Sequence, residues 1–307
     1  MLNFGIIGVG SLGYHHTRIL SNLKGVNLVG IHDINCERGK KVAGEFKTRF
    51  YENLDDLVEE CDALSVVTPT VSHFEIARKI LLKGKHCFLE KPITHSLETA
   101  YELAKILDSR KGVLLQVGHI ERFNPSFLAI KSTINKVRYV EAKRLSLFSP
   151  RCTDVDVIFD LMIHDIDLLL YITQDEISEI RSIGMPILTD KIDIANVRIE
   201  FKGGTVANLS SSRVSSKKVR EFRIFQEKNY ISVDLLNRSA KIFTLIEDPQ
   251  KTIMSEKVRI TEREPLLMEL ESFVESIETG REVACSIHDG IRALEVATKI
   301  SKNIKMI

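Results

Sequence analysis

Leu2-Asn3-Phe4-Gly5-Ile6-Ile7-Gly8-Val9-Gly10-Ser11-Leu12-Gly13 reads as a short buried strand that runs into a glycine turn and then a helix. A GxGxxG run alone is weak evidence, because glycine turns are common. Its position between a strand and a helix gives it weight. Gly8 permits the tight turn, Gly10 lets a pyrophosphate approach the backbone, and Gly13 lets helix pack on strand. The helix start then offers N–H groups and a positive dipole end to phosphate. Asp33 stands at the end of the next apolar stretch, Val26 to Asp33. A carboxylate there accepts hydrogen bonds from both hydroxyls of an adenosine ribose and repels a 2′-phosphate. No arginine immediately follows it, the next residues being Ile34 and Asn35. NAD is therefore the expected cofactor rather than NADP.

Outward from this unit the alternation continues. Asp62–Val67, His86–Leu89 and Val113–Val117 are predicted strands. Helices are predicted to about Leu23, then over Cys36–Gly44, Leu54–Glu60, His73–Lys83 and Leu97–Arg110. Strict strand–helix alternation predicts a parallel sheet with helices on both faces. Past residue 120 the pattern changes. Val137–Leu147, Ile177–Met185, Asp193–Phe201, Thr205–Ser212, Arg220–Phe225, Tyr230–Leu235 and Ala240–Ile246 all read as strands, several alternating apolar with polar, and Gly203-Gly204 reads as a hairpin turn. Helices are predicted from Pro265 to Glu278 and over Ile287–Asn303. The expected architecture is α/β. It has an N-terminal Rossmann dinucleotide-binding domain over residues 1–119. A C-terminal α+β domain with a large open, mainly antiparallel sheet follows over residues 120–307.

The 307 residues carry 43 Lys plus Arg and 42 Asp plus Glu, a net charge of +1. A balanced chain has no global bias toward nucleic acid or an anionic membrane. Cys36, Cys61, Cys87, Cys152 and Cys285 are dispersed and form no CxxC pair, which argues against zinc and against a disulfide framework. The apolar run Leu161–Ile172 is cut by His164, Asp165 and Asp167, so no membrane span is expected. Met1 to Gly10 lacks a basic leader. The expected setting is the cytoplasm.

Two further elements carry chemistry. Glu90-Lys91-Pro92 follows a predicted strand. Ligands of parallel sheets bind at the carboxyl ends of strands, so Lys91 is aimed at the cofactor cleft, where it can stabilise a developing alkoxide. The alternative is a solvated loop lysine. Asp160 and His164 lie four apart and share a face if the segment is helical. His164 is the natural acid–base group, and Asp160 can orient its ring or bind substrate. The alternative is a helix-capping aspartate with a packed histidine. Asp165 and Asp167 are read as solvated or structural.

GxGxxG, Thr68-Pro69-Thr70 with His73, Glu90-Lys91-Pro92 and Asp160-x-x-x-His164 together resemble the Gfo/Idh/MocA family of sugar and cyclitol dehydrogenases, over essentially the whole chain. The resemblance implies NAD-dependent oxidation of a sugar hydroxyl, with Lys91, His164 and Asp160 catalytic. It places Gly8, Gly10, Ser11, Leu12, Gly13, Asp33, Thr68, Pro69, His73, Glu90 and Lys91 at the cofactor. His16 matches a first-helix histidine, for which packing is the expected role. Where the family has small residues, this chain has Val157-Ile158-Phe159 and Met162, which is expected to reshape the substrate pocket.

Gly118 to Pro125 and Asp160 to Asp167 are similar to the subgroup that oxidises the 3-hydroxyl of UDP-N-acetylglucosamine on the way to lipid A. That likeness implies Arg122 and Asn124, with Lys91, Asp160 and His164, at the sugar or its phosphates. Residues 213–228 hold Arg213, Lys217, Lys218, Arg220, Arg223 and Lys228 against Glu221 and Glu227. Such a strip suits a diphosphate or protects a strand edge. The implied partners are a small-molecule sugar or nucleotide-sugar and further copies of the chain, as a homodimer or homotetramer through the C-terminal sheet. A dehydrogenase of another sugar, an inositol or another nucleotide-sugar is the alternative, and a non-catalytic NAD-binding sensor a further one.

Overall fold

The computed structural model describes residues 1–149, 155–246 and 252–307; Cys152 lies outside them. By internal contact the chain forms two compact units. The first comprises Met1–His119 with Leu266–Ile291, and the second Ile120–Pro265 with Arg292–Ile307.

In the first unit, β1 (Leu2–Ile7), α1 (Ser11–Leu20), β2 (Val26–His32), α2 (Cys36–Glu45), β3 (Arg49–Phe50) and α3 (Leu54–Glu60) lead to β4 (Ala63–Val66). Then come α4 (His73–Leu82), β5 (His86–Glu90), α5 (Leu97–Asp108) and β6 (Leu115–Gly118). The six strands are parallel in the order β3-β2-β1-β4-β5-β6. The chain therefore reverses direction of winding between β1 and β4, and in open α/β sheets that switch point is where ligands bind. β4 and β6 are buried at every position, as strands covered on both faces are. Asn35, Asn53 and Ser96 cap α2, α3 and α5 through their side-chain oxygens.

The second unit holds α6 (Pro125–Ile130), β7 (Tyr139–Leu145), a π-helical turn at Ile158–Met162, α7 (Ile163–Thr173) and β8 (Ile177–Met185). It continues with β9 (Ile194–Phe201), β10 (Val206–Ser212), β11 (Val219–Phe225), β12 (Asn229–Asp234), β13 (Ser239–Leu245) and β14 (Ile253–Lys257). Helix α8 (Pro265–Thr279) follows, then α9 (Ile287–Asn303) and β15 (Lys305–Met306). The nine strands run β14-β13-β12-β11-β7-β10-β9-β8-β15. All pairs are antiparallel except β7–β10 and β8–β15. One face of this sheet buries Val140, Ala142, Ile199, Phe222 and Ile231 under the apolar side of α7. The alternation along β9 is the visible trace of that arrangement.

The units are not contiguous halves. Residues 266–291 return to the parallel sheet because their apolar groups find partners there. Phe273 is fully buried edge-on to Phe4 and Phe88, at centroid distances of 6.3 and 5.8 Å. The N–H of Val117 donates to Cys285 O at 3.0 Å, and Gln116 donates to Glu269 O at 3.3 Å. The division between units falls within α9, after Ile291. β3, α6, β14 and β15 were not expected from the sequence. β14 is exposed at every position, so it carries no alternation to read. Cys61, Cys87 and Cys285 are buried free thiols, and burial pushes the Cys61 thiol up to about 12. Among the described residues no helix is long and apolar enough to cross a membrane.

Candidate active site

The turn after β1 is built for close approach. Gly8 has φ +86°, and a Cβ on it would lie 2.7 Å from Val67 O. A Cβ on Gly13 would lie 1.9 Å from Gly8 O, so only glycine lets α1 seat against the turn. At Gly10 a Cβ would meet nothing within 4 Å. That open space lies at the N-cap of α1, where no side chain caps the helix and Ser11 and Leu12 are exposed. The glycine that must admit a ligand is thus the one with room above it, and the helix start keeps its dipole end for an anion. These residues fit a dinucleotide pyrophosphate.

Asp33 sits immediately beyond β2 with its carboxylate buried. Oδ2 accepts from Val9 N at 2.8 Å and Arg38 Nε at 3.1 Å; Oδ1 accepts from Asn35 N at 2.8 Å and Arg38 Nη2 at 2.7 Å. Burial raises the carboxyl's proton affinity, but the Arg38 fork and the two N–H groups more than offset it and hold Asp33 below the usual carboxylate range. An arginine therefore does reach Asp33, five residues on rather than adjacent. The sequence signal was Asn35: as the N-cap it places Arg38 in the first turn of α2, with its side chain leaning back toward the helix start.

At the ends of β4 and β5 a second set is held by backbone. His73 is buried, with Nε2 2.9 Å from Thr68 O and Nδ1 2.9 Å from Pro92 O. It straps the Thr68-Pro69 segment to the Glu90-Lys91-Pro92 turn, and burial lowers its proton affinity. Expected as a cofactor contact, it has its two ring nitrogens against these carbonyls. Thr68 Oγ1 accepts from Ser72 at 2.8 Å, Pro69 is exposed, and Lys91 is half-buried. Glu90 accepts from Lys91 N at 3.2 Å and lies 3.2 Å from His16 Nε2, whose Nδ1 is 2.9 Å from Ser65 Oγ. A Cβ on Gly118 would come within 2.9 Å of the Glu90 carboxyl carbon, so that glycine makes space for the acid.

In the second unit Asp160 and His164 are both half-buried. Asp160 lies inside the π turn and His164 in the first turn of α7, so the four-residue spacing is not one α-turn as expected. Such π turns recur at functional sites. Two buried arginines hold the acids that follow His164 in the chain. Arg122 forks Asp167 at 2.9 and 2.7 Å and lies 4.6 Å from the Tyr171 ring. Arg144 grips Asp165 at 2.7 to 3.1 Å and donates to Glu121 at 2.8 Å. Burial raises Asp165, while Arg144 and Arg220 hold Glu121 low despite its burial.

Arg122 pairs with Asp167, and Asn124 caps α6 and donates to Glu121 and Leu235 O at 2.9 Å each, so both carry bonds within the fold. Asp165 and Asp167 are structural. Val157, Ile158 and Met162 are fully buried in the core, so three of the four large residues fill that core and do not narrow a pocket. In the basic strip, Arg213 lies 3.6 Å from Asp193, Arg220 3.3 Å from Glu121, and Arg223 2.8 Å from Glu141. These three positive charges are paired within the fold. The signal for Arg144 was an arginine in an otherwise core-facing strand position, which implies a buried acid somewhere.

The family described as "Oxidoreductase family, NAD-binding Rossmann fold" matches residues 2–119, and the GFO/IDH/MocA C-terminal domain matches residues 137–232. The chain is 38% identical over 302 residues to the UDP-N-acetylglucosamine 3-dehydrogenase of Acidithiobacillus ferrooxidans, covering 96% of this chain and 95% of that enzyme. Its fold is similar to the solved structure of that enzyme with a TM-score of 0.93, covering 99% and 97% of the two chains. It is 26% identical to the NAD(+)-dependent scyllo-inositol 2-dehydrogenase of Bacillus subtilis over 98% of this chain and 93% of that one.

Proposed function

The chain belongs to the GFO/IDH/MocA family of NAD-binding oxidoreductases, and from that premise we propose that it oxidises a sugar hydroxyl to a ketone. The proposed substrate is UDP-N-acetylglucosamine, oxidised at its 3-hydroxyl. The observation that carries this reading is the end-to-end similarity, at 38% identity, to an enzyme of that name. NAD, when bound, supplies the two-electron oxidant.

The rest is assigned to this chain's residues. Gly8, Gly10 and Gly13, with the N–H groups at Ser11 and Leu12, bind the pyrophosphate. Asp33 binds the adenosine ribose. Thr68 and Pro69 lie beside the cofactor on a segment that His73 fixes, and Glu90 sets the backbone of Lys91. Lys91 donates to the reacting hydroxyl oxygen and offsets its developing negative charge. His164 takes the proton from that oxygen. Asp160 hydrogen-bonds the sugar and fixes its orientation. The ketone so formed is an electrophile suited to later amination, as in a diamino-sugar route to lipid A.

Self-association is assigned to the face of the nine-stranded sheet opposite its core. There Tyr139, Phe225, Tyr230 and Phe243 form a ladder across four strands at centroid spacings of 5.6, 5.3 and 4.3 Å. The molar mass in solution checks it.

The deciding experiment follows NADH formation with UDP-N-acetylglucosamine, other nucleotide-sugars, free sugars and inositols. UDP-N-acetylglucosamine should give the highest kcat/KM. A faster inositol would move the substrate assignment, and NADH binding without turnover on any of them would make the chain a sensor. His164→Ala should lower turnover by roughly 10²–10⁴-fold. Near-normal turnover in that variant removes His164 from the chemistry.

A further inference from the structure

Packing is the role the sequence assigns to His16, yet the slot that holds its ring is polar at two opposite points. The ring lies midway along α1 and is fully buried. Nδ1 stands 2.9 Å from Ser65 Oγ on β4, and the ring is edge-on to Phe88 on β5 at 5.5 Å. Ser65 and Phe88 are register partners in the parallel sheet, so both walls of the slot are fixed. Nε2 then faces Glu90 Oε1 at 3.2 Å. An ionised carboxylate only accepts, so the hydrogen of this contact is on Nε2, whichever way Ser65 turns its hydroxyl. The other oxygen of Glu90 accepts from Lys91 N at 3.2 Å. On β6, Gly118 leaves the space this carboxylate fills.

We propose that His16 is a positioning residue for Lys91 that acts through Glu90. It holds the Glu90 carboxylate so that the second oxygen meets the Lys91 N–H, and this fixes the backbone from which the Lys91 side chain reaches the reacting hydroxyl. His73 ties the following residue through Pro92 O at 2.9 Å, so the turn over residues 90–92 is held at both ends. Burial makes the brace effective. A buried carboxylate that loses its donor must find another or move toward water, and either takes the acceptor away from Lys91 N. One helix thus carries the dinucleotide cradle at its first turn and the brace of the lysine turn farther along. The inference rests on the reading above that Lys91 donates to the reacting hydroxyl.

The test compares three replacements in the full chain. His16→Leu keeps apolar bulk, His16→Asn meets Ser65 but is too short for Glu90, and His16→Gln reaches Glu90 with an amide donor. With NAD and UDP-N-acetylglucosamine, His16→Leu and His16→Asn should lower kcat at least about tenfold, and His16→Gln should recover most of that loss. The KM for NAD and the NADH Kd should stay within about twofold in all three. Hydrogen exchange of the 89–94 peptide needs no sugar. It should run up to about tenfold faster in His16→Leu and His16→Asn, and at the parental rate in His16→Gln. Parental kcat and exchange in His16→Leu overturn the proposal and leave the ring as packing. So does a loss of NADH affinity that matches the loss of kcat, which would make His16 a support of the cradle. So does a His16→Gln variant as impaired as His16→Leu. Lys91→Ala separates the two readings: parental turnover in that variant removes Lys91 from the chemistry, and the exchange comparison still decides whether His16 braces the turn.

Discussion

Replacing Arg144 by Met removes one cation from between two buried carboxylates. Arg144 is 2% exposed, and it is the partner of Asp165 at 2.7 to 3.1 Å and of Glu121 at 2.8 Å. Breaking a buried pair by removing one member costs about 3–5 kcal/mol, because the other charge stays buried. Two acids are stranded here, but Arg220 remains 3.3 Å from Glu121 and covers part of that loss. A cost of about 4 kcal/mol follows. In urea, with a slope of roughly 2 kcal/mol/M, the transition of the second unit should move down by about 2 M.

The pH dependence is the sharper part. In the unaltered chain Glu121 is held low, so its contribution is present above its unfolded value, about 4.3, and is lost as pH falls. In Arg144→Met both carboxyls lose their cation, and burial raises their folded values. The stability carried by their neutral forms is then complete below about pH 4 and lost as pH rises through those raised values. Both effects act in one direction. The gap between variant and parent should be full near pH 7.5 and shrink toward pH 4.5. Hydrogen exchange of peptides from β7 and α7, run beside the urea series, locates the change. A gap below about 1 kcal/mol at neutral pH, or one unaltered by acid, would refute the reasoning. An Arg144→Lys variant keeps the charge but loses the fork, and should fall between the two.

Gly13→Ala puts a methyl 1.9 Å from Gly8 O, so α1 or the cradle must shift; NADH should bind at least about tenfold more weakly by fluorescence titration, with the second unit's unfolding unchanged. Phe273→Ala should cost about 3–5 kcal/mol in the first unit, where the ring is fully buried against Phe4 and Phe88. NADH should raise the Tm of the Phe273→Ala transition, because ligand and mutation act on one unit. Its failure to do so would separate residues 266–291 from the dinucleotide unit.

Much of this fold was legible because its signals are local. The GxGxxG turn, the strand–helix period before residue 120 and the alternation in β9 each need only a window of a few residues. Helix ends were legible for the same reason, as at Pro265 and Ile287. Residues 266–291 were not, because nothing in a window around Phe273 says which sheet covers it. The π turn was also hidden. Asp160-x-x-x-His164 is compatible with α spacing, yet Ile158–Met162 winds as a π turn with Ile158 and Met162 in the core.

Charges inside apolar segments show where that boundary lies. Asp165 and Asp167 interrupt Leu161–Ile172, and a buried acid is costly without a partner. Their burial therefore implied buried cations, and Arg144, in a strand whose neighbouring alternate positions are Val140 and Ala142, was one of them. What the chain could not show was the pairing, since Arg144–Asp165 spans 21 residues and Arg122–Asp167 spans 45. Arg122 illustrates the consequence. Beside a motif it reads as a ligand for phosphate; in the fold its Nε and Nη2 edge is bonded to Asp167. Asp33 is the converse case, a buried acid whose cation lies only five residues away. Exposure separates the two arginines: Arg122 is 6% exposed, whereas Arg38 pairs with its acid from a solvent-facing position.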